Sequence, residues 1–581
     1  MSPEPRRLPG VYFETETPRP LAVLPRMDVA VLVGFTAQSP QGVPPYTPVA
    51  VEDVKQFERL FGGDLALAWD AERGETVYAH LPRAVRAFFE NGGRRCWVIR
   101  VGGADALQGF SPQRFLDDDL ADKSVYEILT TADYLRYQSP DARTLRGLHA
   151  ALEVEEATLI AVPDLVHRRA VRRDVPTPPA ASSQEIPPDE PTGEFEACDR
   201  SFLAAPSLEA QPPAAPDQPV VLRWGSSPFA YARGTEFMLE EASLPDFSDA
   251  AVVYRGTAHS VKLYDRAESG HDYLYYRVRA EQGELQSAWS RPETVILRAQ
   301  TPWELEPLAD YSDRTLLEVQ QALLRMCAAR GDLFAVLALP RHYREGKTFE
   351  YLQKLRDPLD WGGEIGALSY GAIYHPWPVS AEGAGVFRAV PPDGAATGLL
   401  ARRAVERGAW VAPANELLRG MVALEPPLSS DRYGDWLEAQ VNLIRQEAKG
   451  FLTLCADTLA DTRQDPELRS INVRRLLILL RLVALRLGST LVFEPNDETL
   501  RRLVERTFEA VLDYLFERGA FRPARKSQAY QVVTGPSLNP QQSLEQGRRI
   551  AEIKVAPSEP LAFLTVRLVQ AGDQRLVVQE V

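Results

Sequence analysis

The alternation of helix and strand patterns along this chain breaks off near Pro176 and resumes only after Leu297, so no single layer architecture accommodates all of it. Upstream of the break, "DVAVLVGFTAQSPQGVP" from Asp28 is an apolar run ending in a Gly/Pro-rich loop, the pattern of a strand buried on both faces. "VEDVKQFERLFGG" follows, with Val54, Phe57, Leu60 and Phe61 at helical spacing and a stop at Gly62-Gly63. "LPRAVRAFFENGGRRCWVIRVGG" repeats the order of helix, glycine turn and strand, which predicts an α/β region. After the break, "RTLLEVQQALLRMCAARGDLFAVLALP" has the same grammar, and "SINVRRLLILLRLVALRLGSTLVFEPND" and "DETLRRLVERTFEAVLDYLFERGAF" predict two long helices. In the last of these, Leu500, Leu503, Val504, Phe508, Val511, Leu512, Leu515 and Phe516 form one apolar stripe.

Between Pro176 and Pro219 lie 11 of the 46 prolines, mixed with Ala, Ser, Glu and Asp. Such a stretch has too little apolar surface to fold and predicts an extended linker. From about residue 219 to 298 short strand patterns alternate with turn signals and show no helical period, which predicts a β-sandwich. The expected order is an N-terminal arm (1–27), a first α/β part (28–170), a Pro-rich linker (171–218), the sandwich (219–298), a second α/β part with a carboxy-terminal core (305–560) and a C-terminal arm (561–581). The fold class is thus α/β (α+β), multidomain, with an all-β insertion.

Both chain ends read as strands. In "LPGVYFETET", Val11, Phe13 and Thr15 alternate with Tyr12, Glu14 and Glu16; in "QRLVVQEV", Leu576 and Val578 alternate with Val577 and Gln579. A terminal strand needs a partner for its backbone groups, supplied by its own sheet or by another chain. "PRPLAVLPRM" (Pro18 to Met27) is a plausible hinge for the first arm, because its three prolines cannot enter a central ladder.

A formal net charge of −15 argues against a general nucleic-acid binder. No charge-free run is long enough to cross a bilayer, and the start has no continuous apolar segment of a secretory signal, so direct membrane insertion is not expected and cytoplasmic assembly is. Cys96, Cys198, Cys327 and Cys455 are widely spaced, with no CxxC and no Cys/His cluster, and read as reduced thiols. There is no GxxxxGK[ST] loop, no HExxH and no GxSxG, so no catalytic, cofactor-binding or metal residue is assigned and no enzyme is expected. "PPDGAATG" (Pro391 to Gly398) reads as a turn before a helix, and "DDD" (Asp117 to Asp119) as a solvated charge run. Trp361, Trp377, Trp410 and Trp436 lie among apolar neighbours at irregular spacing, favouring packing over a carbohydrate platform.

An ordered set of segments resembles the contractile tail sheath family: "PGVYFET", "VAVLVGFTA", "FGG", "AVRAFFENGGRRCWVIRV", "ALSYGAIYHPW", "VPPDGAATGLLARRAVERGAWVAPANELLRG", "SINVRRLL", "LVFEPND" and "VAPSEPLAFLTVRL". The set covers about residues 8 to 165 and 305 to 570, and the block from Val390 is its most specific piece. Within the insertion, "YYRVRA…GELQSAWSRPETVIL" with Trp224 resembles a fibronectin type III module, although the usual tyrosine-corner position is Leu274, so that either Tyr273 or Tyr276 supplies the hydroxyl or that bond is missing.

The sheath resemblance implies a structural homo-oligomer, stacked in sixfold rings around an inner tube protein, whose contraction drives the tube through a target envelope. It also implies baseplate and terminal cap proteins as partners, an AAA+ ATPase for disassembly, no cofactor and no nucleic acid. The particle would be a phage tail or a phage tail-like injection system, with the choice between them, and release outside the cell, left open. Family members donate terminal strands to neighbouring subunits, which assigns that role to Val11, Tyr12, Phe13 and Glu14 and to Leu576, Val577 and Val578. The charged face of the helix from Glu498, with Arg501, Arg502, Glu505, Arg506 and Glu509, is the candidate inner-tube contact, since its opposite face has a core to bury. The competing reading is a multidomain adhesin or enzyme that binds carbohydrate through the sandwich.

Overall fold

The computed structural model describes residues 24–172, 181, 203–211, 219–225, 231, 234–264, 266, 271, 273–297, 301–382, 386–491, 497–545, 548–558, 564–570 and 576–580. They fall into a larger unit, 27–475, and a smaller one comprising 476–581 with the amino-terminal end.

The larger unit is built on a nine-stranded sheet in the order Val49–Val51, Cys96–Gly102, Ala30–Phe35, Leu159–Ala161, Phe334–Ala338, Gly371–His375, Val441–Glu447, Gly450–Thr453, Leu417–Leu418. The six strands from Cys96–Gly102 to Val441–Glu447 run parallel. Parallel strands are covered on both faces, which is why Ala30–Phe35, Phe334–Ala338 and Gly371–His375 are buried at every position. In the middle of the sheet Leu159 pairs with Ala30 on one side and Phe334 on the other. The two α/β stretches of the sequence are therefore halves of one sheet.

Asp164 organises the end of this sheet. Its fully buried carboxylate accepts hydrogen bonds from the backbone N–H groups of Phe35 (2.7 Å), His80 (2.5 Å) and Leu81 (3.2 Å), and lies 3.0 Å from His167 Nε2. It thus joins the exit of a central strand to the start of the helix Leu81–Glu90, where a negative charge is favoured by the helix dipole. Gly34 is glycine because a Cβ there would lie 2.3 Å from Asp164 Oδ2.

The insertion is a sandwich of two sheets. One has Ala251–Gly256, Glu236–Ala242, Tyr273–Gln282 and Leu285–Gln286 in order, with Glu293–Ile296 also on Tyr273–Gln282; the other has Ser260–Leu263, Val220–Gly225 and Ser207–Gln211. Leu222, Trp224, Phe237, Leu239, Tyr276 and Val278 are among the residues packed between them. The first strand, Ser207–Gln211, pairs along its length with Val220–Gly225, so the sandwich begins inside the stretch read above as linker. The alternation Leu208/Ala210 against Glu209/Gln211 was available in the sequence, but the surrounding prolines hid it. The Tyr276 hydroxyl donates to Glu241 (2.7 Å), a side-chain acceptor rather than the backbone of a tyrosine corner. The Ser287 and Ser290 hydroxyls accept the N–H groups of Ala280 (2.9 Å) and Val278 (3.0 Å), and Arg277 stacks on both Phe247 and Trp289.

Just before the insertion the chain forms the strand Ala170–Arg172, and just after it the strand Trp303–Leu305; these pair antiparallel, with Glu304 opposite Val171. Trp303–Leu305 also joins the hairpin Ala66–Asp70/Glu75–Tyr78 in a four-stranded sheet. The sandwich thus hangs from a two-stranded neck that is itself part of the body.

Removing the Asp164 carboxylate would leave three buried N–H donors without an acceptor. Asp164→Ala is expected to cost on the order of 3–5 kcal/mol, read as a lower thermal midpoint of the purified chain.

Candidate assembly surfaces

The smaller unit carries a four-stranded antiparallel sheet, Tyr530–Val533, Arg549–Val555, Leu564–Gln570 and Leu576–Glu580. Asn539 fixes its connecting loop, donating to the carbonyls of Thr534 (3.1 Å) and Ile550 (2.7 Å) and accepting from Ile550 N–H (2.6 Å). Of the residues expected to be donated to a neighbour, Leu576, Val577 and Val578 lie opposite Gln570, Val569 and Leu568 of the same chain. In the single chain the last strand therefore closes its own sheet. The same ladder of main-chain hydrogen bonds is available to the terminal strand of another copy. Val11, Tyr12, Phe13 and Glu14 lie outside the described residues, as does most of the Pro18 to Met27 hinge.

The inner end of that hinge has a fixed anchor. Arg475 is fully buried and donates to the carbonyls of Met27 and of Leu400, the latter at 2.9 Å. Burial pushes its pKa down to about 10, against the opposing pull of Tyr374 and Asp28. Met27 and Arg475 are the two ends of the larger unit, so both chain crossings to the smaller one leave from one clamped point.

The helix Glu498–Glu517 starts at an Asp497 cap that accepts Leu500 N–H (2.9 Å), and it buries Leu500, Val504, Phe508, Val511, Leu512 and Leu515. Leu503, placed on that stripe from the sequence, is 47% exposed, and Phe516 is only partly covered. A stripe eight residues wide is broader than the sheet beneath it covers. The five candidate tube residues divide. Arg501 is committed within its own helix, to Glu498 (2.5 Å) and Glu505 (2.7 Å), and Glu505 also accepts the Thr534 hydroxyl. Arg502, Arg506 and Glu509 are exposed, and together with Leu503 they form the outward stripe, with Arg502 in a longer, solvent-exposed ion pair with Glu498 (3.5 Å).

The "PPDGAATG" block proves to be the first turns of a helix, Asp393–Glu406, rather than a turn preceding one. Gly394 and Gly398 face the helix Leu81–Glu90: a Cβ at Gly394 would lie 2.5 Å from Ala84 Cα, and one at Gly398 2.4 Å from the Phe88 carbonyl oxygen. The two helices pack backbone to backbone, which only glycine at that spacing permits. Asp393 is buried at the helix start with its carboxylate on Gly394 N–H (2.9 Å). Burial pushes its pKa up to about 7, with the nearby Asp164 charge adding to the shift.

Asp117 also departs from its sequence reading. It is buried, held by Arg143 through two 2.7 Å bonds and by Arg146 N–H (2.9 Å). Burial alone would raise its pKa, but these bonds outweigh that and hold the carboxyl below its ordinary value. Only Asp118 and Asp119 of the run are exposed.

Trp361, Trp377, Trp410 and Trp436 are all buried; Trp377 donates to the Leu339 carbonyl (2.7 Å) and Trp436 stacks on His375. A cavity of about 470 Å³ in the larger unit is lined by Arg73, Arg83, Arg168, Arg341 and Arg388. Each is paired: Arg83 and Arg388 with Asp64, Arg168 with Asp70, Arg341 with Glu75 and Glu425, and Arg73 with Glu425. This charge network joins two sheets, the one holding Ala66–Asp70 and Glu75–Tyr78 and the one holding Val386–Ala389 and Ala423–Glu425. Among the described residues there is no group of His, Cys, Asp or Glu arranged to hold a metal ion, and no helix is long and apolar enough to cross a membrane. Burial raises the thiol pKa of Cys96 and Cys327, and that of Cys455 to about 12, so none is a ready nucleophile.

No family model and no curated protein matches the chain. Solved structures do. A chain of the anti-feeding prophage (AFP) baseplate in contracted state matches at 17% identity and a TM-score of 0.50, covering 96% of this chain and 98% of that one. The AFP helical sheath in contracted state matches at 16% identity, a TM-score of 0.48 and coverages of 96% and 98%. The sheath complex of the extracellular contractile injection system PVC, also contracted, gives 16%, 0.47, 96% and 95%. The chain has a mixed α/β fold of the kind found in contractile injection particles.

The raised Asp393 pKa fixes the sign of a pH effect. The unfolded carboxyl releases its proton near its ordinary value, 3.8, and the folded one only near 7, so its contribution to stability is complete below pH 4 and is lost as pH rises to 7. Asp393→Asn should match the wild type below pH 4 and exceed it above pH 7, by on the order of 3–4 kcal/mol, in thermal melts across that range.

Proposed function

We propose that this chain is the subunit of a contractile sheath: copies polymerise in rings around an inner tube, and contraction drives the tube through a target envelope. The observation that carries this reading is the fold likeness to a subunit of a contractile particle over nearly the full length of both chains. The tube, baseplate and terminal caps are the partners this role requires, with an AAA+ ATPase recycling contracted sheaths, and the particle assembles in the cytoplasm before acting at a cell surface. The sandwich, attached by a paired neck, is an outward decoration that leaves ring stacking to the body.

The terminal arms link the rings. The last strand makes one full ladder with its own sheet, and exchanging it for the same strand of a neighbour conserves those hydrogen bonds while tying two subunits together. The Arg475 clamp holds the root of the amino-terminal arm while the arm itself reaches out. A tube contact has to hold in the extended state and release on firing, which favours the exposed, salt-screened stripe of Arg502, Leu503, Arg506 and Glu509 over a dry apolar face.

Electron microscopy of the purified full chain is expected to show tubes or cogwheel rings. Deleting residues 1–17 or 574–581 should leave a folded chain by circular dichroism that forms no long tubes; tubes of normal length from either deletion would remove the arms from the mechanism. On purified inner tubes, Arg502→Glu/Arg506→Glu should weaken extended-sheath assembly about tenfold, more at low than at moderate salt, whereas Arg501→Glu should act mainly on helix stability. Equal assembly of Arg502→Glu/Arg506→Glu and wild type across that salt range would place the tube contact elsewhere.

A further inference from the structure

Two sheet edges border the cavity of the larger unit. Glu75–Tyr78 is the outer strand of the sheet that contains the neck, and Val386–Ala389 is the outer strand of a second sheet with Trp377–Glu382 and Ala423–Glu425. Thr76, Val77 and Tyr78 from one edge and Phe387, Arg388 and Ala389 from the other line the cavity of about 470 Å³. Among the described residues no main-chain ladder joins these edges, since each strand pairs only with its inner neighbour. Phe387, the large apolar residue on the rim, is 61% exposed rather than packed across the gap. Charge spans it instead. Arg341 donates to Glu75 (2.6 Å) and Glu425 (2.5 Å), Arg73 to Glu425 (2.8 Å), and Arg388 to Asp64 (3.0 Å), with the Arg388 guanidinium 3.8 Å from the Tyr78 ring centre.

This network balances at neutral pH: Arg73, Arg83, Arg168, Arg341 and Arg388 stand against Asp64, Asp70, Glu72, Glu75 and Glu425. Guanidiniums keep their charge at any working pH, whereas carboxylates lose theirs in acid. His80, His167 and His342 line the same cavity and would then add positive charge to it. The rings of His80 and His167 stack with centres 4.0 Å apart, so protonating both sets two cations face to face. Burial, His167 and Arg341 hold His80 well below its ordinary value, and burial with Arg168, Arg73 and Arg344 holds His342 at about 4 against the pull of Glu72. Asp164, 3.0 Å from His167, is the acid that faces this pair. Glu306, raised by burial beside Arg168, acts in the opposite sense and is outnumbered by His80, His342 and Glu425.

We propose that these ion pairs form an acid-opened latch, which holds the strand Glu75–Tyr78 against the strand Val386–Ala389 at neutral pH and parts in acid, admitting solvent to the cavity. A solvated histidine takes its proton near 6.5 and His342 in the closed cavity near 4, so its contribution to closure is complete above pH 6.5 and is lost as pH falls to 4. Burial raises Glu425, but Arg341 and Arg73 outweigh that and hold it below its ordinary 4.5, so its contribution is lost on further acidification. The latch belongs to the body alone and stands without the sheath reading.

Hydrogen exchange of the full chain, read by mass spectrometry and corrected for the intrinsic pH dependence of exchange, tests it. Protection at 76–78 and 387–389 should fall at least about tenfold from pH 7 to about pH 4, and likewise at pH 7 in about 1 M salt, which screens part-exposed pairs. The central strands Ala30–Phe35 and Phe334–Ala338 should keep their protection. Glu75→Gln/Glu425→Gln should open the edges already at pH 7, and His342→Asn should move the midpoint of opening to lower pH, a shift that lost packing alone would not produce. Unchanged protection of both edges in acid and in salt would overturn the latch, as would loss in the edges and the central strands together, which is global unfolding. If the double variant does not fold, the acid and salt responses of the wild type decide.

Discussion

The structure depends on one pairing: Leu159–Ala161 beside Phe334–Ala338 in the middle of a parallel sheet. Those strands lie on opposite sides of the inserted sandwich in the sequence, so the core of the body is assembled from two stretches of chain that the insertion separates. An interior parallel strand has no exposed face or edge, and leaving it unpaired would orphan a row of backbone donors and acceptors. The exit and re-entry points must therefore lie close together. The antiparallel neck of Ala170–Arg172 and Trp303–Leu305 makes that proximity structural, holding the two crossings in one ladder joined to the body's second sheet.

Around this sheet the large unit is fastened by buried polar groups that each satisfy several backbone sites. Asp164 collects three N–H groups from a strand and a helix start, and Arg475 ties the arm root to the helix Asp393–Glu406. Such groups act as fixed registers, since a shift of either element leaves a buried charge without its partners. Gly394 and Gly398 do the same through shape, allowing a helix contact too close for any side chain.

The smaller unit shows a different logic. Its last strand is attached by a ladder of main-chain hydrogen bonds, and those bonds do not depend on which copy supplies the strand. The exposed stripe on the helix Glu498–Glu517 is narrower than its sequence suggested because Arg501 and Glu505 satisfy each other. Charges that are paired within a helix are poor candidates for an intermolecular contact, since a partner has first to displace the internal bond.

The sequence by itself determined the α/β class, the inserted β module, the buried apolar strands and the long carboxy-terminal helices, because hydrophobic period and glycine or proline punctuation are local properties. It placed the start of the sandwich at residue 219 and missed the first strand, since Ser207–Gln211 is recognisable only by its partner Val220–Gly225. What Asp117 and Asp393 do was likewise decided by tertiary structure: one acidic residue in a charge run is buried on Arg143, and one in a glycine-rich stretch is buried in the first turn of a helix with a raised pKa. The same is true of the terminal strand, whose pattern announced that it would pair but not with what. Periodicity reports which face of an element is apolar, whereas burial, charge pairing and strand partnership depend on residues far away in the chain, and only the assembled fold brings those together.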